Sequence, residues 1–397
     1  MTTTFNQIKD HIKQVRRRLY LASGYGFRNC LEIAPLASQA PERWGYRELA
    51  AKTSHTIHDQ RALEYLRMQS YIPHDNGVIG LRPVFSCNIE GAKFDMRTGL
   101  VATADNRIVL ESGVDLSRIQ NSPMYGSSKN DFTYLPGAYT SIWGLFTHNY
   151  GHWMIECLLR LYALQAGCCQ GARLLMPQEL TPVQKESFLA CLPDNIEVVY
   201  LPRRSRVKVD RFVFLCPPTG GTSFYFPPAD HLEYARRRIF ERCKLTRPPA
   251  RANRIFISRK KAAYRQMHNQ DEVRSLLERY GFKAYDLEDL GFAGQVALFY
   301  DAEMVVSPHS SGLINLLFAP RLTKVLEISA LAPEPSFFSL SQALGQRYHY
   351  LFGKEADRSR IFPRRSDEPQ RLRDLINSDF SVDLRELEGA IKDMEHD

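Results

Sequence analysis

From about residue 149 onward, the chain alternates between short apolar segments and longer segments with helical periodicity. The helical segment NYGHWMIECLLRLYALQAG precedes the strand candidate ARLLMP, and the helical TPVQKESFLACL precedes NIEVVYL. A second series of the same kind begins at RFVFLCP and runs through RIFISRK and EMVVSPH to TKVLEIS. Regular strand–helix alternation predicts parallel sheets covered by helices on both faces. We therefore expect an α/β fold.

Two such series imply two domains, which suits a chain of 397 residues. The polar segment at 202–210 separates the series, and Val, Ile, Phe and Gly with frequent turn residues before residue 146 predict strands and hairpins. The predicted first domain covers 1–205. It has a helical and strand-rich extension, with strands over 76–145, and α/β structure from 146. A Rossmann-like domain at 206–350 and a helical tail at 351–397 follow.

The formal net charge is +8, and the positive residues are clustered. The clusters are Arg16–Arg18, Arg203–Arg204, Arg236–Arg238, Lys260–Lys261 and Arg364–Arg365. Positive patches attract phosphate groups, although each run taken alone can equally be a solvated surface. Nucleic acid is not an expected partner, because the runs are far apart and no nucleic-acid-binding motif accompanies them.

The compartment is predicted from export signals and cysteine usage. No apolar run approaches the roughly 20 residues of a membrane-spanning helix, and no apolar segment follows the basic residues near the N-terminus. The eight cysteines are scattered and include no CxxC pair, which favours reduced, mostly buried thiols. These features predict a cytoplasmic protein.

The segment from Ser307 to Asn315, SPHSSGLIN, follows the apolar strand candidate EMVV and opens a helix. A strand–tight loop–helix junction presents free backbone N–H groups and the positive end of a helix dipole, which suits a diphosphate. Ser310 and Ser311 can add hydroxyl donors, and Gly312 allows close approach of a ligand to the backbone. The alternative is an ordinary capped helix with His309 in its loop.

Two further strand ends carry charged residues. Ser258, Arg259 and Lys260 follow the carboxyl end of the strand IFI. An arginine at this place can bind a phosphate through two parallel hydrogen bonds. Glu327 ends the strand KVLE, where a carboxylate could accept hydrogen bonds from both hydroxyls of a ribose. A solvated basic loop and a surface carboxylate are the respective alternatives.

The helical segment NYGHWMIE places His152 and Glu156 four residues apart, so the two side chains share a helix face. Either group could act as a general base on an acceptor hydroxyl, and the carboxylate could instead orient the imidazole. The same spacing could bind a metal, but no third ligand is evident. A buried structural pair is the remaining alternative.

The motifs NYGHWMIE, IFISRKK and SPHSSGLIN, in this order and spacing, resemble those of glycosyltransferase family 61. Members typically show N-Y-x-H-W-x-x-E, then I-S-R, then G-P-H-G-A-G-L-x-N, followed by V-L-E. The resemblance covers about residues 145–330. Ser310-Ser311 departs from the Gly-Ala pair that is more common in the family. The serine side chains crowd this loop, so the donor phosphates could lie farther from the backbone. Alternatively, the donor itself could differ.

The resemblance implies a GT-B architecture, an inverting mechanism and a nucleotide-sugar donor, expected to be a UDP-sugar, held by the second domain. Known members transfer N-acetylglucosamine or xylose, or build bacterial surface polysaccharides, and the last of these is our expectation here. The first domain would then bind the acceptor. The site residues expected on this basis are His152, Glu156 and His309 for catalysis; Ser258, Arg259, Lys260, Ser310, Ser311, Gly312, Leu313, Asn315 and Glu327 for the donor; and Asn149, Tyr150 and Trp153 for the acceptor.

No cofactor is predicted. A DxD metal-binding motif is lacking, with Asp286-Leu287-Glu288 the nearest match, so transfer is expected to proceed without a divalent ion. The expected acceptor is a glycan or a lipid-linked glycan, and the basic patches suggest peripheral association with an anionic membrane at its inner face.

Three other functional classes are alternatives to a glycosyltransferase. An NAD-dependent dehydrogenase is disfavoured, because Gly24-Tyr25-Gly26 lacks the third glycine and the acidic residue of the dinucleotide fingerprint. A glycoside hydrolase would need two carboxylates facing across one cleft, which the sequence does not show. A non-catalytic nucleotide- or glycan-binding protein with the same fold remains the alternative.

Overall fold

The structure is a computed structural model, and it describes residues 27, 29–56, 77–113, 116–219, 225–260, 265–329, 335–354 and 379–397. The basic residues Arg16–Arg18, Lys261 and Arg364–Arg365, and the segment Gly24–Gly26, lie outside the described residues. The chain divides into two compact units, one comprising Met1–Thr53 and Gly80–Thr222 and the other Ser54–Ile79 and Ser223–Asp397.

The strands up to residue 215 form two sheets. They are β1 (Cys30–Leu31), β2 (Arg47–Ala50), β3 (Thr53–Thr56), β4 (Val78–Leu81), β5 (Val84–Glu90), β6 (Lys93–Asp95), β7 (Leu100–Ala102), β8 (Ile108–Val109), β9 (Thr133–Thr140), β10 (Arg173–Pro177), β11 (Val198–Leu201) and β12 (Arg206–Leu215). Strands β3 and β4 pair with each other, and the others form a 10-stranded sheet with the main order β1-β8-β7-β6-β12-β9-β10-β11 and with β2 and β5 attached through β12.

This larger sheet is mixed. Strands β12, β9, β10 and β11 are parallel, whereas β12 pairs antiparallel with β5 and β6. A parallel connection needs a crossover, and the connection from β9 to β10 contains the helical segment 150–165. The carboxyl ends of β9 and β12 therefore lie at the same edge of the sheet, next to the start of that helical segment.

The helices of the first unit are short. They are α1 (Ala34–Gln39), α2 (Pro41–Trp44), α3 (Leu116–Gln120), α4 (Tyr150–His152), α5 (Leu161–Gln165) and α6 (Pro182–Cys191). Between α4 and α5 the backbone forms a π-helical turn at Trp153–Cys157 and a 3-10 turn at Leu158–Arg160. Helix α6 begins with Thr181 as its N-cap and Pro182 at its first position, in agreement with the sequence pattern.

The second unit contains one parallel sheet of five strands. The strands are β13 (Asn253–Ile257), β14 (Lys283–Tyr285), β15 (Ala302–Pro308), β16 (Lys324–Ser329) and β17 (Arg347–Phe352), and the helices are α7 (Ala229–Arg242), α8 (Gln270–Arg279), α9 (Phe292–Tyr300), α10 (Pro335–Ala343) and α11 (Leu384–His396). The strand order is β14-β13-β15-β16-β17. This is the 2-1-3-4-5 order of doubly wound folds, whose ligands bind where the order reverses, here at the carboxyl ends of β13 and β15.

The C-terminal helix is part of the core of the second unit. Leu387, Ile391 and Met394 of α11 have no exposed surface, and they pack with Phe256 of β13 and Leu326 of β16. Their spacing of four and three residues puts them on one helix face, which explains why α11 covers the sheet. The predicted helical tail therefore ends in a core element, while residues 355–378 lie outside the described part of the chain.

The prediction of a mixed α/β fold with parallel sheets is confirmed. The boundary between units falls later than residue 205, because β12 pairs with β5, β6 and β9 of the first unit. The eight cysteines, all among the described residues, are free thiols, and most of them are buried. No helix within the described residues is both long and apolar enough to cross a membrane.

Candidate active site

The first candidate residues lie just beyond β13. Ser258 is buried, Arg259 is half-buried, and the turn that carries them is held by Gln270, the first residue of α8. The Gln270 side-chain oxygen accepts a hydrogen bond from the Arg259 backbone N–H (3.1 Å), and its amide nitrogen donates to Ser258 Oγ (3.3 Å). Gln270 thus fixes the backbone from which the Arg259 guanidinium projects, a role that the sequence analysis missed.

Lys260 lies in the same turn but is used differently. It is exposed, and its Nζ is 2.5 Å from Asp271 Oδ1 in a surface ion pair. Exposed pairs of this kind contribute little to stability and exchange readily with water. A direct role in donor binding, which the sequence predicted for Lys260, would require this pair to open.

The second strand end is that of β15. Beyond Pro308 the chain forms a 3-10 helix at Ser311–Phe318, with Ser310 as its N-cap. The Leu313 N–H already donates to the Ser310 carbonyl (3.0 Å), whereas the N–H groups of Ser310, Ser311 and Gly312 make no backbone hydrogen bond within the described residues. These three amides of the predicted four-residue stretch are therefore available to a phosphate.

Two predicted donor-binding residues of this helix belong to the core. Leu313 and Asn315 have no exposed surface, and Asn315 Nδ2 donates to Gln295 Oε1 of α9 at 2.9 Å. The 3-10 geometry turns both side chains inward, where the amide of Asn315 is satisfied by another helix. Their contact with the donor stays a prediction.

Gly312 has a packing reason to be glycine. A Cβ atom at this position would lie 2.8 Å from Leu287 Cδ1 and 3.6 Å from Ile257 Cγ2. The helix start therefore packs directly on the end of β13 and on the 3-10 turn at Leu287–Asp289. From the sequence, this glycine was expected to allow a ligand to approach the backbone closely. In the described structure, close packing explains why the residue is glycine.

His309 belongs to a buried chain of polar side chains. Its Nδ1 is hydrogen-bonded to Glu327 Oε1, and the Tyr348 hydroxyl donates to Glu327 Oε2 at 2.5 Å. His309 is 7% exposed and Glu327 is 0% exposed. Burial and the neighbouring Glu327 carboxylate raise the pKa of Tyr348 well above its ordinary value, so Tyr348 stays a neutral donor. The carboxylate therefore orients the His309 ring.

This arrangement differs from the one expected for a ribose contact at Glu327, which stays a prediction. Both of its oxygens are engaged by protein side chains, and the residue has no exposed surface. The alternative of a surface carboxylate was wrong, because Glu327 is buried on β16, an inner strand of the five-stranded sheet.

Arg265 is a further cation at this site that the sequence analysis did not select. Its Nη1 donates to the His309 carbonyl (3.4 Å), so its guanidinium lies beside the loop that leads to the Ser311 helix. An arginine eight residues beyond Ile257, after the basic ISRKK segment, is the only signal for it in the sequence.

The third candidate group starts the helical segment after β9. Asn149 is the N-cap, and its Oδ1 accepts hydrogen bonds from the N–H groups of Gly151 (2.8 Å) and His152 (3.4 Å). His152 Nδ1 lies 2.9 Å from Glu156 Oε1, and the two side chains are 22% and 6% exposed. The predicted sharing of one helix face is confirmed, even though the intervening turn is π-helical.

The electrostatics of this pair favour an ionised Glu156. Burial would raise the pKa of its carboxyl group, but the hydrogen bond with His152 and the positive charges of Arg118 and Arg160 outweigh burial and leave the pKa lowered. Arg160 is buried, and its Nε donates to the Glu156 carbonyl at 2.7 Å. A carboxylate that accepts from Nδ1 fixes the imidazole tautomer with Nε2 as the basic atom.

The residues predicted to contact the acceptor have other roles in the described structure. Trp153 is fully buried, and its Nε1 donates to Ser187 Oγ of α6 at 2.9 Å. Tyr150 is half-buried, and burial raises the pKa of its hydroxyl. Asn149 uses its side-chain oxygen as a helix cap. The ring that does lie beside His152 is Phe146, at a centroid distance of 5.2 Å.

The described residues include no group of three His, Cys, Asp or Glu side chains placed to hold a metal ion. Within this part of the chain, the alternative of a metal bound by His152 and Glu156 therefore has no third ligand of these types.

Comparison with known proteins finds a matching family model and several similar proteins. Residues 150–326 match the family model described as Glycosyltransferase 61. Over 105 residues, which are 26% of this chain and 20% of the relative, the chain is 29% identical to the EGF domain-specific O-linked N-acetylglucosamine transferase of Drosophila melanogaster. The proteins of the same name from Mus musculus and Bos taurus are 28% and 25% identical, over 21% and 25% of their lengths.

The matches thus cover only about a fifth to a quarter of each relative. The family match begins at Tyr150 and ends at Leu326, so it includes the His152–Glu156 pair, the Ser258–Arg259 turn and the His309 loop. Over residues 150–326, the chain is therefore similar to glycosyltransferase family 61.

Proposed function

We propose that this protein is an inverting glycosyltransferase that moves a sugar from a nucleotide-sugar, with UDP as the expected nucleotide, onto an acceptor hydroxyl. The observation that carries the proposal is the His152–Glu156 pair, in which an ionised carboxylate orients an imidazole at a parallel-strand end. A cationic loop at the switch point of the second sheet supplies the complementary anion site.

The proposed base is His152 rather than Glu156. Glu156 is buried and holds Nδ1, so Nε2 accepts the proton of the acceptor hydroxyl as that oxygen attacks the anomeric carbon. The bond between the anomeric carbon and the diphosphate oxygen breaks, and the nucleoside diphosphate leaves with the electron pair. One displacement of this kind inverts the configuration at the sugar carbon.

The leaving diphosphate would be held by the second unit. Arg259 and Arg265 supply positive charge, and the N–H groups of Ser311 and Gly312 supply donors at the start of a helix. Negative charge develops on the diphosphate in the transition state, so donors fixed in advance stabilise it more than they stabilise the bound donor sugar. The His309 ring, oriented by Glu327 through Nδ1, lies in the same loop.

The architecture proposed for this chemistry is GT-B. It is supported by the fact that each unit carries its candidate residues at the carboxyl ends of parallel strands, where α/β sheets bind ligands. We further propose that the cations replace a metal ion. Transfer should then be unchanged in excess EDTA, and a strict requirement for Mn²⁺ or Mg²⁺ would contradict this.

The donor and the acceptor are proposed as chemical classes. The relatives are named as N-acetylglucosamine transferases, so UDP-N-acetylglucosamine is the first donor to test. We propose a glycan or lipid-linked glycan as acceptor and peripheral binding to anionic membranes. The bacterial surface-polysaccharide setting gains no support from the animal relatives. Co-sedimentation with phosphatidylserine vesicles, reversed by moderate salt, tests the membrane proposal.

The decisive experiment measures release of UDP with and without an acceptor for the wild-type protein, His152→Ala and Arg259→Ala. We expect both variants to lose transfer while keeping the wild-type melting temperature. Near-normal turnover in both would refute the site. Nucleotide binding without any release of UDP would instead favour the non-catalytic binding protein.

A further inference from the structure

A separate cavity of about 380 Å³ lies within the first unit. Its floor includes Phe85, Cys216 and Glu111, which are buried, and its mouth includes Tyr46, Glu48 and Arg82, which are half-buried or exposed. A volume of this size is within the range of small-ligand sites, which are concave, mostly apolar and furnished with a few polar groups.

The cavity opens at the same sheet edge as the His152 site. Cys216 directly follows β12, and its N–H donates to the Phe85 carbonyl of β5 at 2.9 Å. Because β5, β12 and β9 are successive neighbours, the β5 end of the cavity is two strand spacings, roughly 10 Å, from the carboxyl end of β9. Arg160 is near both regions, since its charge lowers the pKa of both Glu156 and Cys216.

The floor of the cavity is rigid. Glu111 accepts hydrogen bonds from the N–H groups of Ile33 (2.9 Å) and Ala34 (2.8 Å), and it thereby ties the start of α1 to the sheet. The Tyr46 ring stacks on Phe85 with centroids 5.3 Å apart and planes 29° apart. A wall held in place before binding lowers the entropy lost when a ligand is ordered against it.

The polar groups of the cavity suit a neutral, hydroxyl-rich ligand. The exposed charged residues of the lining are two carboxylates, Glu32 and Glu48, and two cations, Lys52 and Arg82, so neither an anion nor a cation is favoured overall. Burial and the neighbouring Glu48 raise the pKa of Tyr46 to about 12, so its hydroxyl remains protonated. Sugar rings place their C–H faces on aromatic rings and their hydroxyl groups on carboxylates and guanidinium groups.

We propose that this cavity binds a sugar ring of the acceptor glycan, one or two residues away from the hydroxyl that His152 deprotonates. The inference rests on the proposed function, and it differs from the acceptor contacts that the sequence predicted at Asn149, Tyr150 and Trp153. A concave pocket of about 380 Å³ favours a glycan over a folded protein acceptor, whose recognition needs a broad surface.

The test measures binding of chitobiose, lactose and cellobiose to the full chain by saturation-transfer NMR and titration. We expect at least one of these neutral disaccharides to bind the wild-type protein. Arg82→Ala and Glu48→Gln should each raise its Kd roughly tenfold or more, because each removes a hydrogen bond to a charged group. Arg43→Ala and Glu42→Gln, exposed changes of the same types on α2, should leave the Kd unchanged.

The proposal is overturned if none of the three disaccharides binds, or if the cavity and control variants bind equally well. Binding of a folded EGF-like domain without any disaccharide would also overturn it, in favour of a protein acceptor. UDP titration of the wild-type protein is read separately. Disaccharide binding without UDP binding would refute the glycosyltransferase but not the sugar cavity, and the opposite result would refute only the cavity.

Discussion

At the residue scale, Glu156 illustrates how a side chain can act through its neighbour. The four-residue spacing predicted the contact with His152, but the spacing alone left open which of the two is the base. Burial of Glu156, its lowered pKa and its bond to Nδ1 favour His152.

The change Glu156→Gln tests this assignment. The amide no longer stabilises the imidazolium that forms as His152 takes a proton, so we expect kcat to fall by about 10²–10⁴ with little change in the KM of the donor. Steady-state kinetics of the variant and of Glu186→Gln, an exposed change on α6, provide the comparison. A Glu156→Gln enzyme with wild-type kcat would contradict an orienting role.

The change Arg259→Ala tests the anion site. Loss of one cation that stabilises the leaving diphosphate should lower kcat/KM by about 10²–10³. The matched control is Arg279→Ala, an exposed change at the far end of α8. Equal effects of the two changes would show that charge in general, rather than the position of Arg259, matters.

At the element scale, the loop from β9 to the His152 helix is held by a turn between β6 and β7. Gly99 in this turn has a φ of +71°, and an added Cβ would lie 2.4 Å from the Trp143 carbonyl oxygen and 2.5 Å from Gly144 Cα. The loop cannot give way easily, because Trp143 is buried against Trp153.

We therefore expect Gly99→Ala to lower the free energy of unfolding by about 2 kcal/mol or more, since strain at a positive φ adds to a backbone clash. Urea denaturation measures this. Gly80→Ala, where an added Cβ meets nothing within 4 Å, should change the free energy by less than about 0.5 kcal/mol. Comparable losses in the two variants would mean that the turn does not support the loop.

The cap of the C-terminal helix predicts a pH dependence. Asp383 is bonded to Lys354 and accepts from the N–H groups of Glu386 (3.1 Å) and Arg385 (2.8 Å), and these contacts lower its pKa to about 2. Because the folded pKa lies below the unfolded value of about 3.9, the stabilisation is present above pH 4 and is lost as the pH falls toward 2.

Hydrogen exchange of the α11 amides should accordingly become faster between pH 4 and pH 2.5, after correction for intrinsic exchange. Asp383→Asn should remove most of this pH dependence, whereas Asp393→Asn, an exposed change on the same helix, should not. If Asp383→Asn retains the full dependence, another group is responsible.

At the scale of the whole molecule, a donor that binds only the native state must raise the melting temperature. A screen of UDP-, GDP- and CMP-sugars should show a rise of about 3 °C for one nucleotide class at roughly 100 times its Kd, with UDP-sugars expected. Arg259→Ala should abolish the shift. A flat profile for every nucleotide would count against the donor site.

The family motifs could be located from the sequence because they are local. Strand–loop–helix junctions, helix caps and the i,i+4 pair depend on neighbouring residues, so Thr181, Gly312 and His152–Glu156 were visible in the pattern. Residues that act through distant partners were not. Gln270, Arg265 and Tyr348 reach the site only because α8, its preceding loop and β17 fold onto the ends of β13, β15 and β16.

The sequence by itself determined the α/β class and the chemical types present at the strand ends, because hydrophobic periodicity and local motifs need no long-range contact. Only the tertiary structure decided which of those side chains face inward. Trp153, Leu313, Asn315 and Glu327 are buried, and the His152 imidazole is partly exposed. The physical reason is that the burial of a side chain depends on which elements pack over it, as α11 packs over the second sheet. That packing is set by residues far apart in the chain.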